Sequence, residues 1–112
     1  MEQIAYEDFA KIDMRAGRIV EVVDFERART PAYKLRIDFG DELGERWTSA
    51  QAKLAYRPDE LFGRLVVAVV NFPPKNIAGF MSEVLVLGVQ ADDGSLSLLE
   101  PSRGARLGSR VH

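Results

Sequence analysis

Residues 33–39 constrain this chain more than any others. Tyr33, Leu35, Ile37 and Phe39 alternate with Lys34, Arg36 and Asp38. Successive side chains on a strand point to opposite faces, so this segment is a strand with one apolar and one charged face. The apolar face must lie on a core built by other segments, and those segments are all short. Met14–Phe25 is rich in Ile and Val. Arg46–Ala50 returns after a Gly40-Asp41-Glu42-Leu43-Gly44 hairpin loop. Leu65–Val70 and Val84–Leu87 are continuous apolar runs. Leu96–Leu99 follows an Asp92-Asp93-Gly94 turn.

Nothing alternates strands with long helices, which excludes a parallel α/β sheet. The helical signals are brief. Phe9 and Ile12 share a face within Tyr6–Ile12. Arg57–Gly63 has Pro58 near its first turn and Gly63 at its end. Gly17 predicts a bulge or sharp bend in the first strand. A long bent strand is what a small closed barrel needs to serve two of its sides. The two apolar runs should be covered on both faces, by a helix or by a second subunit. The segment Asn71–Glu83 joins them and carries no clear strand of its own. The expected fold is mostly β, a five-stranded barrel with short helices, for which the OB-fold is one candidate. A chain of 112 residues predicts a single domain over 1–112.

Composition removes most catalytic chemistry. There is no cysteine, and the only histidine is His112. Disulfides, thiolate metal sites and histidine triads are excluded on those grounds. Neither phosphate-binding glycine pattern is present. Glu7-Asp8, Glu42, Glu45 and Asp92-Asp93 read as solvated acids. Ser49 and Ser82 lack a base partner. The expectation is a non-enzymatic binding protein with no catalytic residue, metal or cofactor. Met1-Glu2-Gln3-Ile4 lacks the basic start of a signal peptide, and no apolar run reaches the ~18 residues that span a bilayer. A soluble cytoplasmic protein without membrane insertion is expected.

The binding candidates form three basic clusters. The first is Arg27 and Arg29 with Lys34 and Arg36, the second is Lys75, and the third is Arg103, Arg106 and Arg110. A net charge of −2 argues against a globally basic nucleic-acid clamp. Lys34 and Arg36 project from one strand face, a stripe that suits phosphates or acidic peptide groups, although Asp38 weakens the RNA version. Long irregular connections in small domains are often functional, which makes Asn71–Glu83 the most informative stretch. Pro73-Pro74 fixes an extended course. Phe72, Ile77, Phe80 and Met81 beside Lys75 make an apolar patch with a basic edge, or else close the barrel or an interface. Gln51, in Ser49-Ala50-Gln51, is placed to cap a helix or hydrogen-bond a ligand.

These residues also carry a resemblance. Phe9-Ala10-Lys11-Ile12-Asp13-Met14-Arg15-Ala16-Gly17-Arg18-Ile19 resembles the opening of the tRNA-binding OB-fold domains, which occur as synthetase appendages and as free-standing proteins. Ala32–Gly40 continues the likeness, as does Asn71-Phe72-Pro73-Pro74-Lys75 followed by Ser82–Gly88. More narrowly, Ile37-Asp38-Phe39-Gly40, Ser49-Ala50-Gln51 and Ser82-Glu83-Val84-Leu85 resemble the CsaA branch of export-related chaperones. The resemblance implies a Greek-key barrel, a homodimer aided by N- and C-terminal extensions, and no catalysis. It implies clients that are unfolded or export-competent polypeptides, with links to preproteins and the export ATPase. The wider family implies tRNA as the alternative partner, recognised by shape and backbone. The Ser-x-Gly-Met of tRNA-binding members is Ser82-Glu83-Val84-Leu85 here, which favours the chaperone branch. A module without further domains, rather than a fused synthetase subunit, is expected. The candidate ligand-binding residues are Arg15, Lys34, Arg36, Ser49, Gln51, Asn71, Phe72, Lys75, Phe80, Met81 and Ser82. Apolar groove residues would take peptide side chains, with Lys34, Arg36 and Lys75 as a cationic rim. On the RNA reading, Arg15, Lys34, Arg36 and Lys75 would meet phosphates, and Asn71 and Ser82 would add polar contacts.

Overall fold

The alternating segment becomes a central strand. The computed structural model describes residues 1–112. Its elements in chain order are α1 (Tyr6–Ala10), β1 (Met14–Asp24), β2 (Tyr33–Asp38), α2 (Gly40–Leu43), β3 (Glu45–Ala50), α3 (Pro58–Leu61), β4 (Leu65–Val69), β5 (Lys75–Ile77), β6 (Phe80–Ser82), β7 (Leu85–Val86), β8 (Gly88–Gln90) and β9 (Leu96–Leu98). β2 buries Tyr33, Leu35 and Ile37, with Phe39 just beyond. It pairs antiparallel with β1 on one edge and with β3 on the other. The main sheet runs β3-β2-β1-β4-β7. It curls until Val84, ahead of β7, reaches back to β3, where Thr48 Oγ1 donates to Val84 O at 2.7 Å. This is a nearly closed five-stranded Greek-key barrel of the OB type.

β1 is long because it serves two neighbours. Met14–Arg18 pairs with β4, and Arg18–Asp24 pairs with β2. The register shifts between Ile19 and Glu21, which leaves Val20 as an extra residue in the strand. The bend is therefore at Val20 rather than at Gly17. Gly17 has a different role. A Cβ there would meet Ile37 Cγ2 at 2.6 Å and Phe39 Cδ1 at 2.8 Å, so only glycine lets β1 approach β2 so closely.

The first half of β1 has an edge that β2 does not reach, and the C-terminal tail fills it. Gly108 N–H donates to Ala16 O at 2.8 Å, Ala16 N–H to Ser109 O at 2.9 Å, and Val111 N–H to Met14 O at 2.9 Å. Backbone groups that would otherwise form an open sheet edge are thereby paired.

The core is Ile19, Leu35, Ile37, Phe39, Leu61, Val66 and Ala68, all at 1% exposure or less. α3 contributes Leu61 as a plug. Pro58 sits in its first turn, and the Glu60 carboxylate accepts the Arg57 N–H at 2.8 Å. Together these satisfy the helix start.

The Gly40–Gly44 connection joins β2 to β3 as the expected hairpin, and it takes the form of a single helical turn, α2, with Gly44 N–H returning to Gly40 O. One expectation is corrected. The segment Asn71–Glu83 contains a hairpin, β5–β6, that strand-length patterning alone does not reveal. Within one chain no helix supplies the cover expected over the outer faces of the apolar runs. β4 buries Val66, Ala68 and Val69 but leaves Leu65 and Val67 half-buried, and Leu85 in β7 is half-exposed, because no long helix packs over them. No helix is long and apolar enough to cross a membrane.

Candidate functional site

The hairpin β5–β6 organises the site. Its turn residues Ala78 and Gly79 have φ of +50° and +85°, the sign pattern of the tight turn that matches strand twist. Asn76 Oδ1 accepts the Gly79 N–H at 2.9 Å and braces that turn. Lys75 pairs with Ser82 and Ile77 with Phe80 across the ladder. Side chains alternate along β6, so Phe80 and Ser82 face β3 while Met81 faces away.

Side chains rather than a ladder bind the hairpin to the outer edge of β3. Ser82 Oγ accepts the Ser49 N–H at 3.1 Å and lies 3.2 Å from Thr48 Oγ1. The Glu83 carboxylate accepts the Trp47 N–H at 2.9 Å, and Glu83 N–H donates to Trp47 O at 2.8 Å. The Phe80 ring packs edge-on against Phe25 and Trp47, with centroids 5.4 and 6.2 Å away.

Three clefts surround this hairpin. The first, of about 410 Å³, is lined by Phe72, Pro73, Ile77, Val84 and Leu85, with Ser49, Lys75, Ser82 and Glu83 among them. Phe72 is 53% exposed and Leu85 50%. The second, of about 450 Å³, lies between Val23, Lys34, Trp47, Phe80, Met81 and Glu83. The third, of about 640 Å³, separates the β1–β2 loop from the hairpin, with Arg27, Arg29, Thr30, Ser49, Gln51 and Lys75 on its walls. No group of three acids or histidines is placed to hold a metal ion.

The structure sorts the sequence candidates into two sets. Ser49, Gln51, Phe72, Lys75, Phe80, Met81 and Lys34 line these clefts, as does Ser82 while it anchors the hairpin. Lys34 Nζ sits 4.9 Å from the centre of the Phe25 ring and 5.1 Å from that of Phe80, with no carboxylate partner. Arg15, Arg36 and Asn71 are engaged elsewhere. Arg36 donates to Glu21 at 2.8 Å and Glu45 at 2.6 Å, so two acids neutralise it. Arg15 donates to both oxygens of Asp13 and to Gly108 O, which ties the tail to β1. The Arg15 guanidinium holds the Asp13 carboxyl below the usual carboxylate range, aided by Arg110. Asn71 accepts the Asp13 N–H at 3.0 Å and donates to Lys11 O at 2.8 Å. It anchors the end of β4 to the α1–β1 junction. Arg110 likewise donates to Ala10 O.

Sequence reasoning did not select Trp47, and it met Glu83 and Leu85 only within the motif Ser82–Leu85, not as ligand-binding residues. Trp47 carried a usable signal, because it lies directly across from Arg36 on the charged face of the sheet. Glu83 carried none, because its role depends on a contact between distant segments.

The chain matches the family model described as "Putative tRNA binding domain" over residues 14–110. The crystal structure of the CsaA chaperone protein from Picrophilus torridus superposes with a TM-score of 0.93 at 52% identity, covering 98% of this chain and 100% of that one. The chain belongs to the tRNA-binding domain family, in its CsaA branch. The CsaA chaperone of Bacillus anthracis gives a TM-score of 0.92 at 45% identity, covering 99% and 100% of the two chains. Methionine–tRNA ligase of Thermococcus kodakarensis is 39% identical over 112 residues, which is 99% of this chain and 14% of that enzyme. The family domain thus spans about one-seventh of that curated relative.

Proposed function

We propose that this protein binds unfolded, export-competent polypeptides in the manner of a chaperone, and that it does so as a homodimer in the cytoplasm. The supporting observation is the exposed apolar cleft beside β5. Large apolar side chains such as Phe72 and Leu85 rarely stand together on a surface that meets only water. The cleft offers them to a client along with hydrogen-bonding groups at Ser49 and Lys75. Contacts of this kind are weak and individually unspecific, which suits release as well as capture. CsaA proteins carry the word chaperone in their descriptions, and the likeness to them supports this reading. The export ATPase and preproteins are the partners it proposes.

A second copy is part of the reading. Val89 and Leu99 are 56% and 40% exposed beside the short ladder β8–β9, and a partner subunit would cover them. A sedimentation mass near twice 12.5 kDa at micromolar concentration is expected, and a monomer mass would reject the dimer.

The test of client binding is suppression of aggregation of a chemically unfolded polypeptide. Phe72→Ser combined with Leu85→Ser should abolish it, because both side chains stand half-exposed on the cleft and neither belongs to the buried core. Undiminished suppression by that variant would reject the cleft.

A second reading has its own observation. Arg27, Arg29 and Lys75 face one cleft and make no ion pair. That arrangement suits tRNA phosphates. Labelled tRNA should then bind with an affinity that falls steeply with salt, and Arg29→Ala should reduce the salt slope by about one. Absence of tRNA binding at low salt would remove this reading.

A further inference from the structure

The carboxylates and cations of this chain are not mixed evenly. Lys11, Arg15, Arg36, Lys53, Arg57, Arg64 and Arg110 each face an acid within 4 Å. Arg18 and Arg46 donate to the backbone carbonyls of Gly63 and Leu43. Around the hairpin the pattern changes. Arg27, Arg29, Lys34 and Lys75 all line clefts there, and none has a carboxylate partner. A protein with more acids than bases leaves these four cations without a carboxylate beside the exposed side chains of Phe72, Met81 and Leu85, while its other cations without a carboxylate, Arg18, Arg46, Arg103 and Arg106, lie outside the clefts.

The only acid on the walls of the three clefts is Glu83. It does not cancel the rim. One of its oxygens accepts the Trp47 N–H, which fixes the carboxylate against the β3 edge. Lys34 is held over two aromatic rings rather than drawn to Glu83, so the two are not an ion pair.

We infer that the clefts select polypeptide segments in which an apolar stretch is flanked by aspartate or glutamate. This inference rests on the polypeptide-binding reading and specifies its client class. The apolar stretch would occupy the surface of Phe72, Ile77 and Leu85. Its acidic flanks would reach Lys75 and Arg29 on one side, or Lys34 on the other. The exposed setting limits each such pair to a modest gain, while like charges brought to the same rim are repelled. Selection therefore acts partly by excluding basic segments.

The experiment uses three fluorescein-labelled dodecapeptides with one Leu-Phe-Val-rich centre. Their flanks are Asp-Glu, Ser-Ser or Lys-Arg. Fluorescence anisotropy is measured with the full chain at low and high salt. The acidic peptide should bind about 3- to 10-fold more tightly than the serine peptide, as two exposed ion pairs would give. The basic peptide should bind most weakly. The three affinities should converge at high salt as charges are screened. In the Arg29→Ala, Lys75→Ala variant the acidic-to-serine ratio should fall toward one. A serine peptide that binds as tightly as the acidic one, or a basic peptide that binds best, would overturn the selection rule and leave polypeptide binding standing. If none of the peptides binds while labelled tRNA does, the polypeptide reading fails and this inference fails with it.

Discussion

Glu83 and Trp47 exchange two hydrogen bonds without belonging to a common ladder. The Glu83 N–H donates to Trp47 O at 2.8 Å, and the Trp47 N–H donates to the Glu83 carboxylate at 2.9 Å. Next to them Ser82 accepts the Ser49 N–H. Two consecutive side chains thus supply acceptors that a neighbouring strand would otherwise provide. The β3 edge is satisfied, and the hairpin is fixed at the mouth of the clefts.

Removing the Glu83 side chain should therefore loosen the barrel seam. Glu83→Ala leaves the Trp47 N–H without its acceptor, which costs about 1–3 kcal/mol. Glu83→Gln keeps a carbonyl acceptor and should cost less than about 1 kcal/mol. Trp47 is the only tryptophan, so urea unfolding followed by its fluorescence reads the seam directly. Equal midpoints for parent and Glu83→Ala would show that the exchange contributes nothing.

Asp13 joins three parts of the chain, and its contribution should depend on pH. It accepts from Arg15 at 2.6 and 3.2 Å, with Arg110 Nε 3.7 Å away. These partners favour the charged carboxylate, so its folded pKa lies below the ordinary value of 3.8. The stabilisation is present in full above the unfolded value and is lost as pH falls through the lower folded value. Asp13→Asn should cost about 1–2 kcal/mol at pH 7. The gap between parent and variant should narrow below about pH 4. A gap of constant size from pH 7 to pH 2.5, measured by urea unfolding, would contradict the assignment.

The barrel was legible in the sequence because its strands follow simple periodicity. Tyr33 to Phe39 alternate, and the structure buries the apolar set. α3 was legible from Pro58 and Gly63. The hairpin was not, because each of its strands has only three residues and its turn is Ala-Gly, a weak signal beside Asn-Gly. Phe72, Lys75 and Met81 were proposed from an apolar segment with a basic edge, and the structure places them on the cleft walls. The intramolecular partners of Arg15, Arg36 and Asn71 were not legible, for one shared reason. A polar side chain on a strand or loop looks available until its partners are known, and theirs are Asp13 and Gly108, Glu21 and Glu45, and Asp13 and Lys11. Apart from Asp13 beside Arg15, these partners come from distant segments and leave no local pattern.

Ala78 stores backbone strain at the hairpin tip. Its φ of +50° is left-handed, which an alanine Cβ disfavours. Added flexibility of the unfolded chain offsets part of the gain from glycine. Ala78→Gly should still raise stability by about 0.5–1 kcal/mol. The urea midpoint should shift upward. A downward shift would mean that this turn is not formed in solution.

Phe80 and Met81 are neighbours that should respond differently to truncation. Phe80 faces β3 and packs against Phe25 and Trp47, while Met81 faces away and is 47% exposed. Phe80→Ala removes packing that holds the hairpin, so it should lower stability by about 2 kcal/mol, less than a fully buried aromatic would. Any loss of client binding in that variant is then partly structural. Met81→Ala should change stability by less than about 0.5 kcal/mol. It should nevertheless weaken peptide binding several-fold, because a flexible thioether adapts to varied apolar side chains. Urea unfolding and peptide anisotropy on the same two variants separate the effects. If Met81→Ala binds peptide as the parent does, the cleft between Lys34 and Trp47 is not part of the client surface, and binding is confined to the side of Phe72 and Leu85.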